Sequence, residues 1–160
     1  MTEASKSEGR GRRVLLIEDD KFKQELVEQA LRAAGVTIDL KVGRSVQQAV
    51  HLVRSGSYDL IILDVALPSH ESRPGGAQPI SQPSGGLEVL LELAYEERGD
   101  RVVIVTQYPE IEYDGVMYPL INFKDQIIKT VEANIVGVIL FNPQEKYWHE
   151  EIGRLILCDA

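Results

Sequence analysis

The sequence predicts an α/β domain built on a doubly wound, five-stranded parallel sheet. Four short runs are apolar without alternation, which is typical of strands covered on both faces: Val14–Ile17, Leu60–Leu63, Val102–Val105 and Val136–Phe141. A fifth run, Thr37–Val42, alternates apolar and charged residues and indicates an edge strand. Segments with helical periodicity separate these runs. Strands and helices therefore alternate along the chain, as expected of a parallel sheet with helices on both faces.

Five amphipathic segments are predicted to form the helices. They are Lys21–Ala34, Ser45–Arg54, Leu87–Glu97, 121–133 and 144–157. In the first segment, apolar residues spaced four apart are expected to form the buried stripe, with Val27 and Leu31 alongside: Phe22, Leu26, Ala30 and Ala34. Gly35 is suited to end this helix, and Ser45 is suited to cap the N-terminus of the next one.

Two long connections are predicted to follow the carboxyl ends of strands. Residues 69–84 contain several prolines and glycines and are expected to form a mobile loop. Residues 107–120 contain Asp114-Gly115 between two β-prone triplets, which predicts a tight hairpin. Both insertions are therefore expected to lie over the same edge of the sheet. Three tyrosines of the second insertion could equally contact a partner or pack onto the domain: Tyr108, Tyr113 and Tyr118.

Composition and charge exclude several classes of protein. The 160 residues are 44% hydrophobic and 26% charged, an ordinary globular balance, and no apolar run approaches the roughly 20 residues of a membrane helix. The single cysteine, Cys158, excludes an internal disulfide and a cysteine-based zinc site, so a cytoplasmic location is expected. Residues 1–13 carry four basic and two acidic side chains and are expected to form a flexible basic tail. The net charge of −8 thus leaves −10 on the domain at 14–160, which disfavours direct binding to nucleic acid.

Polar side chains follow the ends of four predicted strands. Glu18-Asp19-Asp20 follows the first strand, Asp64 the third, Thr106 the fourth and Asn142-Pro143 the fifth. Because the carboxyl ends of parallel strands meet at one edge of the sheet, we expect these side chains to lie close together. Clustered carboxylates repel one another and tend to hold a hard cation such as Mg²⁺. A simpler interpretation of the first group is helix capping, a role for which Asp20 is well suited.

Four motifs resemble the receiver domain of bacterial two-component response regulators: VLLIEDD, YDLIILDVALP, GGLEVL and VVIVT. The resemblance covers residues 14–158 and implies a flavodoxin-like receiver fold, with strand order 2-1-3-4-5 when the strands are numbered along the chain. It also implies the site residues. These are Asp64 as phosphoacceptor and metal ligand, Glu18 and Asp19 as the acidic pair that binds Mg²⁺, the backbone carbonyl of Ala66 as a further metal ligand, and the Thr106 hydroxyl, which turns toward the phosphoryl group.

Two positions depart from the family's pattern. The family places a lysine before a proline after its fifth strand, whereas this chain has Asn142 before Pro143. The family's aromatic switch position is Ile139 here. We therefore expect slow or weakly populated phosphorylation and a weak structural response, which Asn142→Lys should strengthen. If the wild type already accepts phosphate fully, another cation must replace the lysine, and three residues are candidates: Lys146, Arg73 and His70.

The resemblance implies a signalling module rather than an enzyme. Such a module accepts a phosphoryl group from a histidine kinase or phosphotransfer protein and passes the signal to an output partner protein, without a membrane or nucleic acid. The alternative is a pseudo-receiver that signals without phosphorylation, which Asn142 favours and the acidic residues oppose. A phosphatase of the haloacid dehalogenase type would need a second aspartate two residues after Asp64, where this chain has Ala66. The chain has no room for an output domain, so we expect output through a partner or through further parts of a longer protein.

Overall fold

The computed structural model describes residues 11–71, 74–76, 81–82 and 85–158. Its strands are β1 (Arg12–Ile17), β2 (Ile38–Gly43), β3 (Leu60–Leu63), β4 (Leu67–Pro68), β5 (Ser81–Gln82), β6 (Arg101–Thr106), β7 (Glu110–Tyr113), β8 (Val116–Pro119) and β9 (Asn134–Leu140). Its helices are α1 (Lys21–Ala33), α2 (Val46–Ser55), α3 (Gly86–Tyr95), α4 (Leu120–Ile128) and α5 (Tyr147–Leu157). None of these helices is both long and apolar enough to cross a membrane.

The main sheet is parallel and has the order β2-β1-β3-β6-β9. When only the five strands of this sheet are numbered along the chain, their order is 2-1-3-4-5. This is the predicted order, so the predicted fold class is confirmed. The central strand β3 spans the residues of its apolar run, Leu60–Leu63, and all four are buried. Such a strand is covered on both faces, which is why its sequence does not alternate.

Two apolar layers enclose the sheet. On one face α1 and α5 cover side chains such as Leu16, Ile62 and Val103. On the other face α2, α3 and α4 cover side chains such as Leu15 and Ile61. Neighbouring residues of one strand belong to different layers because successive side chains point to opposite faces. The acidic segment after β1 lies where the carboxyl ends of the strands meet, between the two layers.

Helix α1 departs from the predicted buried stripe at its first position. Asp20 caps the helix, and its carboxylate accepts a hydrogen bond from the backbone N–H of Lys23 at 3.1 Å. Phe22, which was expected to be buried, is 61% exposed, whereas Lys23 is 3% exposed. The reason is geometric: Val27 and Leu31 fix the face that contacts the sheet, and Lys23 lies one turn before Val27 on that face. The prediction for Phe22 was wrong.

The second insertion forms the predicted hairpin. Strands β7 and β8 pair antiparallel, and Asp114 and Gly115 both have positive φ, at 51° and 74°. Two positive φ values are the requirement of the tight turn that favours Asp-Gly. Tyr113 and Tyr118 pack against the core beside the buried Ile111, while Tyr108 is 46% exposed. Two of the three tyrosines therefore hold the hairpin on the domain.

The first insertion is closed by a short antiparallel ladder. Leu67–Pro68 pairs with Ser81–Gln82, so the segment leaves and rejoins the domain at neighbouring points. Residues 72–73, 77–80 and 83–84 lie outside the described residues, and the mobility of this segment stays a prediction. At the N-terminus, β1 begins at Arg12, two residues before its apolar run. Residues 1–10 of the predicted tail lie outside the described residues as well.

Candidate functional site

Three carboxylates converge where β1 and β3 end. Glu18, Asp19 and Asp64 each place a carboxylate oxygen within 4.8 Å of the other two. Glu18 and Asp64 are buried, at 2% and 5% exposure, whereas Asp19 is exposed. The convergence arises because β1 and β3 are paired in parallel, Glu18 and Asp64 directly follow the last residues of these strands, and Asp19 follows Glu18. The structure thus brings together the three acidic residues that the sequence singled out.

The cluster contains a lysine that the sequence reasoning missed. The Lys23 ammonium lies 2.6 Å from Oε2 of Glu18 and 3.1 Å from Oδ2 of Asp64. It also donates a hydrogen bond to the backbone carbonyl of Val105, near the end of β6, at 2.8 Å. An ammonium group has three protons, and three oxygens surround this one. Lys23 therefore joins the ends of β1, β3 and β6 with one positive charge.

The electrostatics of the cluster are dominated by burial. Burial, together with the charge of Asp64, raises the pKa of Glu18 to about 8, and the Lys23 ammonium opposes this rise. Burial also raises the pKa of Asp19, with a smaller contribution from Asp64 in the same direction. Buried carboxylates that face one another favour a proton or a cation, because either one reduces the repulsion. The single positive charge of Lys23 therefore does not balance the negative charge that the three carboxylates can carry.

The backbone around Asp64 is held closely by α3. Asp64 Oδ1 accepts a hydrogen bond from the Ala66 N–H at 3.2 Å, and the Gly86 N–H donates to the Val65 carbonyl at 2.8 Å. A side chain at Gly86 would have its Cβ 2.7 Å from the Cα of Val65 and closer still to the carbonyl oxygen of Asp64. Real Cβ atoms do not approach backbone atoms that closely. Glycine is therefore required for α3 to begin against the segment that carries Asp64.

The other predicted site residues lie on neighbouring segments. Thr106 ends β6, is fully buried and accepts a hydrogen bond from the Tyr108 N–H at 3.2 Å. Asn142 follows β9, and its side-chain oxygen accepts from the Gln144 N–H at 3.1 Å, so this amide is engaged in a local turn. Ile139 is buried in the layer under α1 and α5.

The three candidate cations of the sequence differ from Lys23 in their surroundings. His70 is exposed and its ring pairs with the Ser69 hydroxyl, and Lys146 is exposed just before α5. Arg73 lies outside the described residues. One signal in the sequence could have identified Lys23: it stands four residues before Val27, on the helix face that must contact the sheet. Three carboxylates at the same edge also require a counter-charge.

Comparisons with known proteins agree with this architecture. Residues 14–137 match the family described as the response regulator receiver domain. The Detocs response regulatory protein DtcB of Vibrio alginolyticus is 38% identical over 109 residues, which are 67% of this chain and 73% of DtcB. The transcriptional regulatory protein CusR of Escherichia coli is 39% identical over 101 residues, 63% of this chain. The matched segment is 37% of the length of CusR.

Solved receiver structures share the fold. The non-phosphorylated HemR receiver domain of Leptospira biflexa has a TM-score of 0.59 at 17% identity, and 93% of this chain and 97% of that chain are covered. The response regulator TrrA of Thermotoga maritima, in complex with Mg²⁺ and BeF, has a TM-score of 0.57 at 21% identity, with 90% and 98% covered. The family match covers most of the chain and the strand order agrees with it. The protein therefore belongs to the response regulator receiver domain family.

Proposed function

We propose that Asp64 accepts a phosphoryl group from a histidine kinase or phosphotransfer protein and that an output partner protein responds to the change. The observation that carries this proposal is the position of Asp64: a buried carboxylate at the carboxyl edge of the sheet, in contact with a cation and beside two further carboxylates. The intact acidic cluster favours this function over a pseudo-receiver. We infer a signalling module and not an enzyme with a separate substrate.

The proposed transfer is a displacement at phosphorus. A carboxylate oxygen of Asp64 forms the new bond, and the bond from phosphorus to the donor breaks. Its electron pair leaves with the donor's imidazole nitrogen, or with acetate when acetyl phosphate is the donor. Negative charge on the transferred group must be neutralised during this step. Thr106, whose hydroxyl now accepts from the Tyr108 N–H, is proposed to bond a phosphoryl oxygen in the product.

The donor set fits Mg²⁺. Hard carboxylate oxygens are the protein ligands that this ion prefers, and three of them lie within 4.8 Å of one another. Glu18, Asp19 and Asp64 would hold the ion, with the backbone carbonyl of Ala66 as the further ligand that the family resemblance implies. Exposed Asp19 is the carboxylate most open to solvent. When bound, Mg²⁺ supplies positive charge for the transferred group.

Mg²⁺ affinity is expected to rise with pH. The pKa of Glu18 lies near 8 because of burial and the charge of Asp64, so at neutral pH a proton competes with the metal for this carboxylate. Between about pH 6 and about pH 8 the apparent affinity should increase by up to about tenfold per pH unit. Isothermal titration with Mg²⁺ at several pH values checks this. Glu18→Gln is the control, since it should bind more weakly and flatten the dependence. A wild-type affinity that does not change with pH would contradict the assignment of Glu18.

Labelling of the wild type tests the function itself. The protein is incubated with acetyl phosphate and Mg²⁺, and its intact mass is measured with and without a chelator. We expect a mass gain of one phosphoryl group that needs the metal and is lost in alkali, as an acyl phosphate should be. If neither labelling nor Mg²⁺-dependent binding of beryllofluoride is found, the pseudo-receiver is the better description.

A further inference from the structure

We propose that Lys23 supplies the positive charge that faces the phosphoryl group on Asp64, in place of the lysine that is absent at Asn142. This inference rests on the proposed function, because it assigns a cation to the same site. Its basis is a direct contact: the Lys23 ammonium lies 3.1 Å from Oδ2 of Asp64. The side chain at Asn142 is instead hydrogen-bonded within its own turn.

The route of the lysine side chain explains how α1 can supply this charge. Its stem starts in the first turn of α1, which packs with α5 on one face of the sheet. The ammonium passes 5.6 Å from the centre of the Phe141 ring, next to Asn142 in the chain. It ends on the carbonyl of Val105 in β6, the strand between β3 and β9. The charge therefore arrives beside Asp64 on the side where β9 ends.

The packing of α1 indicates that this lysine has a role beyond stability. In the first turn, Lys23 is 3% exposed and its neighbour Phe22 is 61% exposed. Burial of the ring and exposure of the ammonium would be the more favourable arrangement for a helix that only covers the sheet. A cation near a helix N-terminus is also unfavourable with respect to the helix dipole. The carboxylates Glu18 and Asp64 offset these costs only because the ammonium is placed between them.

Phosphorylation should strengthen this contact. The Asp64 side chain would go from one negative charge to about two, and the ammonium already lies against one of its oxygens. Charge-assisted hydrogen bonds are roughly twice as strong as neutral ones, so an amide cannot replace this group. Lys23 is also a single flexible chain with a point charge, which can follow an oxygen over a short distance. Because Lys23 keeps a positive charge beside Asp64, the absence of a lysine at position 142 is by itself no reason to expect weak phosphorylation.

The test compares Mg²⁺ binding with beryllofluoride binding in Lys23→Met. Beryllofluoride occupies the place of the phosphoryl group, so with Mg²⁺ at saturation its affinity should fall at least about tenfold, as expected for loss of a charged hydrogen bond. Mg²⁺ affinity should stay equal or increase, because a positive charge next to the metal ligands has been removed. A purely structural role of Lys23 would weaken both. Lys21→Met is the matched control: it removes the same charge from the same helical turn, but at an exposed position.

Two further variants make the outcome decisive. In the Lys23→Met background, Asn142→Lys should restore beryllofluoride affinity, since it returns a cation from the end of β9. In the wild-type background, Asn142→Lys should change the affinity less than about twofold, because the charge is already present. This second variant keeps the wild-type lysine, so it does not depend on the folding of Lys23→Met. A tenfold gain in beryllofluoride affinity from Asn142→Lys in the wild-type background would overturn the proposed role of Lys23. Normal beryllofluoride binding by Lys23→Met would overturn it as well. Neither result would contradict the proposed phosphorylation of Asp64. A wild type that neither labels nor binds beryllofluoride overturns the function itself.

Discussion

Asp64→Asn is expected to abolish phosphoryl labelling by acetyl phosphate completely and to leave the fold intact. An amide oxygen is not a nucleophile of carboxylate strength, so no acyl phosphate can form at this position. The shape of the side chain is kept, and its oxygen can still accept the hydrogen bond from the Ala66 N–H. The substitution also removes the charge that helps to raise the pKa of Glu18, which reduces the repulsion between the two buried acids. Intact-mass spectrometry and a thermal melt together measure both effects.

Asp20→Asn is the matched control for this prediction. Asp20 lies near the cluster and caps α1, and asparagine caps helices as well as aspartate does. This variant loses one carboxylate from the same segment and should label to the wild-type extent. A phosphoryl adduct that persists in Asp64→Asn would place the acceptor on another residue. Peptide mapping of that adduct would then identify it.

Gly86→Ala is expected to produce a larger loss of stability than alanine at any other glycine in the part of the chain that the structure describes. The added methyl would meet backbone atoms of Asp64 and Val65, which cannot rotate away as a side chain can. Overpacking of this kind costs typically 1–3 kcal/mol, and movement of α3 would also release the Gly86 hydrogen bond to the Val65 carbonyl. Because the displaced backbone carries Asp64, the labelling rate should fall together with the free energy of unfolding. Urea denaturation and timed labelling measure the two effects.

Gly153→Ala is the matched control for the glycine prediction. Gly153 lies inside α5, and a Cβ there would meet no atom within 4 Å apart from its chain neighbours and the adjacent backbone of its own helix. Alanine in a helix interior is more favourable than glycine by about 0.5–1 kcal/mol, so this variant should be more stable than the wild type. The added methyl group is thus expected to lower the free energy of unfolding at Gly86 and to raise it at Gly153. Equal stability of both variants would show that α3 does not approach Asp64 as closely as described.

The sheet could be predicted because its signals are local. The run Leu60–Leu63 is buried on both faces, and its composition shows this without knowledge of any neighbour. Asp114-Gly115 has two positive φ values that few other dipeptides adopt, so the hairpin was evident as well. The convergence of Glu18 with Asp64 followed from topology, since parallel strands end at one edge.

The cation of the cluster could not be predicted by the same reasoning. Amphipathic patterns assign aromatic residues to the core and lysines to solvent, and α1 reverses this assignment at Phe22 and Lys23. The reversal depends on Glu18 and Asp64, which are separated by 46 residues in the sequence and meet only in the folded chain. The family's pattern places its lysine at the end of the fifth sheet strand, where this chain has Asn142. The position of Lys23 on the face of α1 that contacts the sheet indicates its burial, whereas its contact with Asp64 is visible only in three dimensions.

The hydrogen-bond cap of α1 has a mechanical consequence. Asp20 fixes the N–H of Lys23, and the Asp20 N–H is in turn held by Oε1 of Glu18 at 3.0 Å. The Lys23 side chain then returns to Oε2 of the same glutamate, which closes a loop of contacts within six consecutive residues. Glu18 and Asp20 thereby link the ammonium to the backbone of the first helical turn. The charge is therefore anchored to the first turn of a helix, while its flexible side chain can follow small shifts of Asp64.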